Sequence, residues 1–195
     1  MDIVAVVGLG NPGPEYVATR HNAGFQVADA LARRWRLSRW QRRYRAEVAL
    51  RASGRRVWVV KPQTFMNASG ESIALLCQGE VLDPCQCLVV VDDVELPLGQ
   101  LRLRAGGGAG THNGLRSVVA EVGDTFPRLR LGVRGAHAWD DLADYVLAPF
   151  DADEHEAAAA MVSRAADCVE AALRLGLERA ANLFNQTVQP EEQEA

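Results

Sequence analysis

A chain of 195 residues, 48% hydrophobic and 24% charged, has the length and composition to bury one sizeable core. A formal net charge of −4 by itself argues against a polyanion partner, and no apolar run approaches the roughly 18 residues of a membrane span. Met1-Asp2 leads directly into an apolar run, so no signal peptide is expected. The four cysteines (Cys77, Cys85, Cys87, Cys168) lack disulfide or zinc spacing, Cys85-x-Cys87 being one residue short of Cys-x-x-Cys. A reduced, cytoplasmic protein is the expectation.

The first element is the β-branched run Ile3-Val4-Ala5-Val6-Val7, which suits a strand buried on both faces. A seventeen-residue connection, 8–24, follows it, and helix periodicity then runs over 22–36. Gly8-x-Gly10-x-x-Gly13 formally matches a dinucleotide fingerprint, but that fingerprint needs a helix to begin inside the motif. Pro12 and Pro14 remove two N–H donors and push Asn11 and Gly13 toward extended or turn conformations. No acidic residue closes the next strand about 20 residues on, as ribose binding would require. The glycines read better as a tight loop exposing Asn11 at the carboxyl end of a strand, where open α/β sheets bind ligands.

Residues 33–56 hold ten arginines and one acid (Glu47), a net of +9, with Trp35, Trp40 and Tyr44 interleaved. From 151 onward ten acids face three arginines, a net of −7. Such asymmetry lets an acidic protein present one basic face to nucleic acid. The alternative is a solvated surface that offsets the acidic C-terminal region. Following the first helix, the segment is expected at the far side of the sheet from the catalytic strand ends.

Strands are expected at 47–51 and 56–61, joined by a turn at Ser53-Gly54. The loop 63–70 leads to helix periodicity that starts at Ile73 and stops near Gly79, with Asn67 or Ser69 open as its N-cap. Residues 87–91 form the next buried strand and deliver Asp92 and Asp93 to its carboxyl end. Strand 100–104 places Arg102 and Arg104 on one face. The glycine-rich loop 105–114 lacks the Gly-Lys-[Ser/Thr] ending of a Walker loop and enters a helix over 115–122. A strand at 128–133, a short helical segment at 140–147 and an amphipathic helix over 153–183, broken at Gly176, complete one domain, 1–186. The tail 187–195 is polar and acidic and is expected to be disordered.

Strand ends and following loops thus offer Asn11, His21, Asn67, Asp92, Asp93, His112 and Asn113. No Gly-x-Ser-x-Gly elbow exists and no cysteine belongs to this set, so a covalent nucleophile is not evident. A histidine with a carboxylate partner can deprotonate water directly, because the carboxylate takes the Nδ1 proton, fixes the tautomer and stabilises the imidazolium. Carboxamides can hold a carbonyl, position water and donate to an oxyanion without repelling a polyanion. The set suits hydrolysis of an ester. A two-metal alternative would draw on His21, Asp92, Asp93 and His112, although the familiar His-x-x-x-His and His-x-Asp spacings are absent. For His21 alone, a capping or core histidine stays open.

Six blocks carry a resemblance. Gly8-Leu9-Gly10-Asn11-Pro12-Gly13-x-x-Tyr16 with Thr19-Arg20-His21-Asn22-Ala23-Gly24 resembles the opening of bacterial-type peptidyl-tRNA hydrolase. So do Lys61-Pro62-Gln63-Thr64-Phe65-Met66-Asn67-x-Ser69-Gly70 and Asp92-Asp93-Val94-Glu95-Leu96-Pro97-x-Gly99. His112-Asn113-Gly114-Leu115, Arg128-Leu129-Arg130-Leu131-Gly132-Val133 and Tyr145-Val146-Leu147-x-Pro149-Phe150 complete the set over roughly 1–186.

The resemblance implies a monomeric, single-domain α/β enzyme: a three-layer α/β/α fold with a twisted mixed, largely parallel sheet of the phosphorylase/hydrolase-like type. It implies cleavage of the ester between a peptide and the 3′ ribose of tRNA, with no metal and no cofactor. The family's catalytic histidine falls on His21, its supporting aspartate on Asp92 and its active-site asparagines on Asn11, Asn67 and Asn113. Substrate contacts fall on these asparagines and on Tyr16, Phe65 and Met66, and tRNA contacts on Arg104 and Arg130, with Arg102 nearby. Thr111 stands where the family usually has Gly, Gly132-Val133-Arg134-Gly135 replaces Gly-Ile-Gly-Arg, and Val94-Glu95 replaces Leu-Asp.

Overall fold

The structure is a computed structural model and describes residues 2–137 and 139–186; the tail 187–195, expected to be disordered, lies outside the described residues. Its layers follow from strands that are apolar on both faces. Along β1 (Ala5–Gly8) and β5 (Cys87–Pro97) successive side chains point to opposite sides. Val6, Leu88 and Val90 join one core with Val27, Leu31, Met161 and Val169 of α1 (Ala23–Arg34) and α5 (His155–Leu175). Ala5, Val7, Val89 and Val91 join another with Ile73, Leu76, Leu115 and Val118 of α2 (Ser69–Glu80) and α3 (Asn113–Val122). Two cores on either side of one sheet make the three-layer α/β/α fold.

The remaining strands are β2 (Gln41–Arg43), β3 (Ala46–Arg51), β4 (Val57–Pro62), β6 (Leu101–Arg104) and β7 (Arg128–Arg134). The order is β2-β3-β4-β1-β5-β7-β6. The central strands β4, β1, β5 and β7 run parallel, and antiparallel neighbours flank them on both sides. The chain leaves β1 toward β4 through α1 on one face, then crosses back to β5 through α2 on the other. That reversal opens a crevice beyond the carboxyl ends of β1 and β5.

Several local expectations are revised. β5 does not end at Val91 but continues through Asp92 and Asp93 to Pro97. The reason is its second neighbour: pairing with β1 stops at Gly8 opposite Val90, whereas β7 still pairs Asp92 with Leu131 and Asp93 with Gly132. The edge strand β2 was not anticipated, since all three of its residues are exposed and show no alternation. It meets β3 through Tyr44-Arg45, with φ of 56° and 51°, a two-residue turn without the Asn-Gly signal that usually announces one. The long C-terminal helix breaks at Gly176 (φ 87°) into α5 and α6 (Leu177–Phe184). No helix among the described residues is long and apolar enough to cross a membrane.

The arginine-rich segment divides between the two ends of the sheet instead of lying wholly at the far side. Ala46 pairs with Pro62 at the carboxyl end of β4, so the Tyr44-Arg45 turn shares the crevice's end, while Arg51 pairs with Val57 at the other. Arg34 reaches Asp167 (2.6 Å) and Glu170 (3.2 Å) of α5, the pairing expected with the acidic C-terminal region. Arg43, Arg45 and Arg55 pair instead with Glu80, Glu71 and Asp2. The aromatics are used internally: Trp35 Nε1 donates to Glu170 (2.7 Å), and the Lys61 ammonium lies 4.4 Å from the Trp40 ring centroid.

The start of α1 touches β1 backbone to backbone. A Cβ on Gly24 would lie 2.5 Å from the carbonyl oxygens of Leu9 and Val90, and one on Gly8 would lie 2.1 Å from that of Gly24. Backbone cannot yield as a flexible side chain can. Gly24→Ala should therefore destabilise the fold by about 1–3 kcal/mol and lower its melting temperature by about 2–12 °C, read by thermal unfolding.

Candidate active site

The β1–α1 connection is folded by its own asparagines. Asn11 N–H donates to Asn22 Oδ1 (2.9 Å), and Asn22 Nδ2 donates back to the Asn11 carbonyl (2.9 Å), closing the loop across eleven residues. Met66 N–H donates to Asn11 Oδ1 (2.8 Å), which ties this loop to the one after β4. With its carboxamide oxygen engaged, Asn11 keeps Nδ2 as a donor, and it lines the crevice. Asn22 appeared in the sequence only as part of a motif; its bonding is visible only once the loop is closed.

A 3₁₀ turn, Arg20–Asn22, carries His21 over Asp92 of β5, just beyond where β1 ends. His21 Nδ1 lies 3.0 and 3.1 Å from Asp92 Oδ1 and Oδ2. His112, entering from the glycine-rich loop, places Nε2 3.0 Å from the same Oδ1. Asp92 is 2% exposed. Burial alone would raise its pKa, but the two imidazoles outweigh it and hold the carboxyl well below the usual carboxylate range. An ionised carboxylate only accepts, so each facing ring nitrogen carries a proton. His112 Nδ1 then accepts from Leu115 N–H (3.2 Å), capping α3. His21 Nε2 keeps a free lone pair.

A cavity of about 660 Å³ opens here, within the ordinary range for small-ligand sites. Asn11, His21, Phe65, Met66, Asn67, Asp92, Asn113 and Arg130 all line it, as do Asp93, Thr111 and His112. Tyr16, Arg102 and Arg104 do not. Tyr16 stands edge-on to Phe65 with centroids 6.5 Å apart. Arg102 lies opposite Arg130 across the β6–β7 pair, and Arg104 opposite Arg128. Neither Arg102 nor Arg104 has an acidic partner among the described residues. The cap open to Asn67 or Ser69 is not taken: Ala68 precedes α2 without a side-chain cap bond, and Asn67 is exposed into the crevice. Asp93 is a distinct carboxylate. Burial raises its pKa, while Glu95 N–H (2.9 Å) and the Arg130 charge oppose the rise. Arg130 Nε approaches Asp93 Oδ2 at 2.9 Å without hydrogen-bond alignment.

The apolar wall comes from α4 (Leu142–Leu147), whose Leu142, Val146 and Leu147 face the cavity. Nothing in its short sequence pattern reveals that role. Its tether is Arg20, 2% exposed, next to His21. Arg20 donates to the carbonyls of Pro149 (2.6 Å) and Tyr145 (3.5 Å), and to Asp151 (2.8 Å) and Glu154 (2.7 Å). Its guanidinium also lies 4.2 Å from the Tyr145 ring centroid. Arg20→Ala would strand the buried Glu154 charge and should cost about 3–5 kcal/mol. Asp151→Ala, removing a half-exposed partner, should cost under about 1 kcal/mol, both read by denaturant unfolding.

His21, Asp92 and His112 also place one ligand atom each within 4.8 Å of one another, the only such group among the described residues. The donor set suits a cation poorly. A metal at His112 Nε2 would move that ring's proton to Nδ1, directly against the Leu115 N–H, and a metal at His21 Nδ1 would leave the proton on Nε2.

Comparison with known proteins agrees with this architecture. A family model described as peptidyl-tRNA hydrolase matches residues 5–193. The peptidyl-tRNA hydrolase of Chloroflexus aurantiacus is 47% identical over 92% of this chain and 97% of its own, and that of Symbiobacterium thermophilum is 46% identical with the same coverage. The crystal structure of the peptidyl-tRNA hydrolase from Acinetobacter baumannii superposes with a TM-score of 0.87 at 31% identity, covering 94% of both chains. The chain belongs to the peptidyl-tRNA hydrolase family.

Proposed function

We propose that this protein hydrolyses the ester joining a peptide, or an N-blocked aminoacyl group, to the 3′ ribose of tRNA, with His21 as general base. The observation that carries the reading is the His21–Asp92 pair at 3.0 Å, which engages Nδ1 and leaves Nε2 as the ring nitrogen available to a cavity lined by Asn11, Asn67 and Asn113. His21 Nε2 takes a proton from water, and the hydroxide attacks the ester carbonyl carbon. Asp92 holds the ring and stabilises the imidazolium. Asn11 Nδ2, with Asn67 and Asn113, donates to the carbonyl oxygen as it gains charge. The intermediate collapses, the ribose 3′ oxygen takes the proton back from His21, and the peptide acid, which gives its proton to solvent to become the carboxylate, and tRNA are released.

No step calls for a metal or cofactor. All of these groups come from one chain, which supports a monomer, and 1–186 acts as one catalytic domain with a cytoplasmic substrate. Phe65, Met66 and the α4 wall receive the acyl portion, with Tyr16 bracing Phe65. Arg130, Arg102 and Arg104 receive phosphates. Like charges placed directly opposite on paired strands cost stability, and a polyanion relieves that cost.

Turnover of N-acyl-aminoacyl-tRNA but not of free aminoacyl-tRNA is the expected result. His21→Ala should lower that turnover by about 10²–10⁴ while leaving tRNA affinity intact. Near-normal turnover in that variant would remove His21 from the role, and RNA retention without turnover by the native protein would favour a binding module.

Arg104→Ala should weaken tRNA binding and flatten its salt dependence, since each phosphate contact releases counterions. The edge strand β6 is two strands from β5, whereas Arg42 on β2 is three strands from β1 at the opposite edge. Arg39→Glu with Arg42→Glu should therefore change peptidyl-tRNA turnover less than Arg104→Glu alone, compared at one fixed salt concentration. The reverse ranking would place the tRNA body on the arginine-rich edge.

A further inference from the structure

Two of the cysteines that showed no recognisable spacing meet in space. Cys77 lies in the last turn of α2 and Cys87 opens β5, ten residues later, with their sulfurs 3.7 Å apart. The connection between them is folded back firmly. Leu82 N–H donates to the Cys77 carbonyl (2.9 Å), Val81 adopts the left-handed conformation (φ 55°), and Asp83 and Gln86 form a reciprocal capping box. Cys87 is buried and Cys77 partly exposed. The two differ in environment. Either thiol can donate in the contact between them, which lowers the Cys77 pKa, while the same contact and burial push Cys87 up. The partly exposed sulfur is the one a peroxide can reach, and the buried thiol in contact with it can resolve the product.

We propose that Cys77 and Cys87 form a built dithiol site that a small peroxide oxidises to an intramolecular disulfide. The Cys77 thiolate attacks one oxygen of hydrogen peroxide, breaking the O–O bond to give a sulfenic acid and hydroxide, which is protonated to water. The Cys87 sulfur then attacks the Cys77 sulfur and expels the hydroxyl as a second water, taking up the Cys87 proton. Two thiols lose two electrons, and one peroxide becomes two waters. Closing 3.7 Å to the roughly 2.05 Å of an S–S bond needs a side-chain adjustment within a fixed turn. The partial exposure of Cys77 favours a small oxidant over a bulky one.

The cross-link would pin α2 to the amino end of β5, five residues and about 16 Å of strand from Asp92. Peptidyl-tRNA turnover should stay within about twofold of the reduced protein. Closing a loop of this length should raise the melting temperature by roughly 5–10 °C.

The test treats the reduced full-length protein with hydrogen peroxide, alkylates the remaining thiols and maps peptides without reduction. The expected product links Cys77 to Cys87 within one chain, with loss of two hydrogens, Cys85 still alkylated, a higher melting temperature, and reversal by dithiothreitol. Cys77→Ser should abolish both the link and the thermal shift, whereas Cys85→Ser should keep them. Oxidation of Cys77 to sulfinic acid without a link, a bond through Cys85, or a bond between chains would overturn the proposal. Because Cys77 is partly exposed, its serine variant tests the site without disturbing the core that holds Cys87.

Discussion

Asp92 is a carboxylate taken out of water and held between two imidazoles, and the chemistry of the crevice depends on how that desolvation is offset. A buried charge without partners would cost several kcal/mol. Here the ring N–H groups of His21 and His112 answer it at 3.0 Å each. Since the carboxylate only accepts, it dictates both tautomers at once. The lone pair left on His112 is spent on the first turn of α3, and the one left on His21 faces the cavity. One ionised group thus links His21, the glycine-rich loop and the start of a helix.

That arrangement rests on strand lengths and on contacts that only backbone can make. β5 outlasts β1 because β7 continues to pair with it, which carries Asp92 beyond the end of β1 and under the turn that holds His21. The same turn approaches β1 so closely that Gly8 and Gly24 leave no room for a Cβ. Arg20 is the converse of Asp92: a buried cation rather than a buried anion, whose two terminal nitrogens donate to Glu154, Asp151 and two carbonyls at the end of α4. The turn that carries His21 and the apolar wall are therefore held by neighbouring residues.

Charge is arranged by edge rather than by total. The net of −4 conceals a basic β6–β7 ladder beside the cavity and a second arginine-rich edge at β2. At the second edge Arg43 and Arg45 are matched by Glu80 and Glu71, and on α1 Arg34 is matched by Asp167 and Glu170. Beside the cavity only Arg130 is matched, by Asp93, while Arg102 and Arg104 have no acid among the described residues. An unbalanced positive edge next to an ester-cleaving geometry is the electrostatic form expected for a substrate whose bulk is nucleic acid.

Much of this was legible before any fold. Continuous apolar runs determined the central strands, because a strand buried on both faces must be apolar throughout. Pro12 and Pro14 marked the first loop as a turn rather than the start of a long helix, and only a single 3₁₀ turn, Pro14–Tyr16, forms there. Residue type at strand ends, reinforced by the family blocks, picked out Asn11, His21, Asn67, Asp92 and Asn113, all of which meet in one cavity. The short β2, the extension of β5, the mutual bonds of Asn11 and Asn22, the second imidazole on Asp92 and the meeting of Cys77 with Cys87 were decided only in three dimensions. Periodicity reports how a segment meets the core, and a motif reports local geometry. Contacts between distant segments depend on which strands neighbour one another and how far each continues, and the crossovers of the assembled sheet set both.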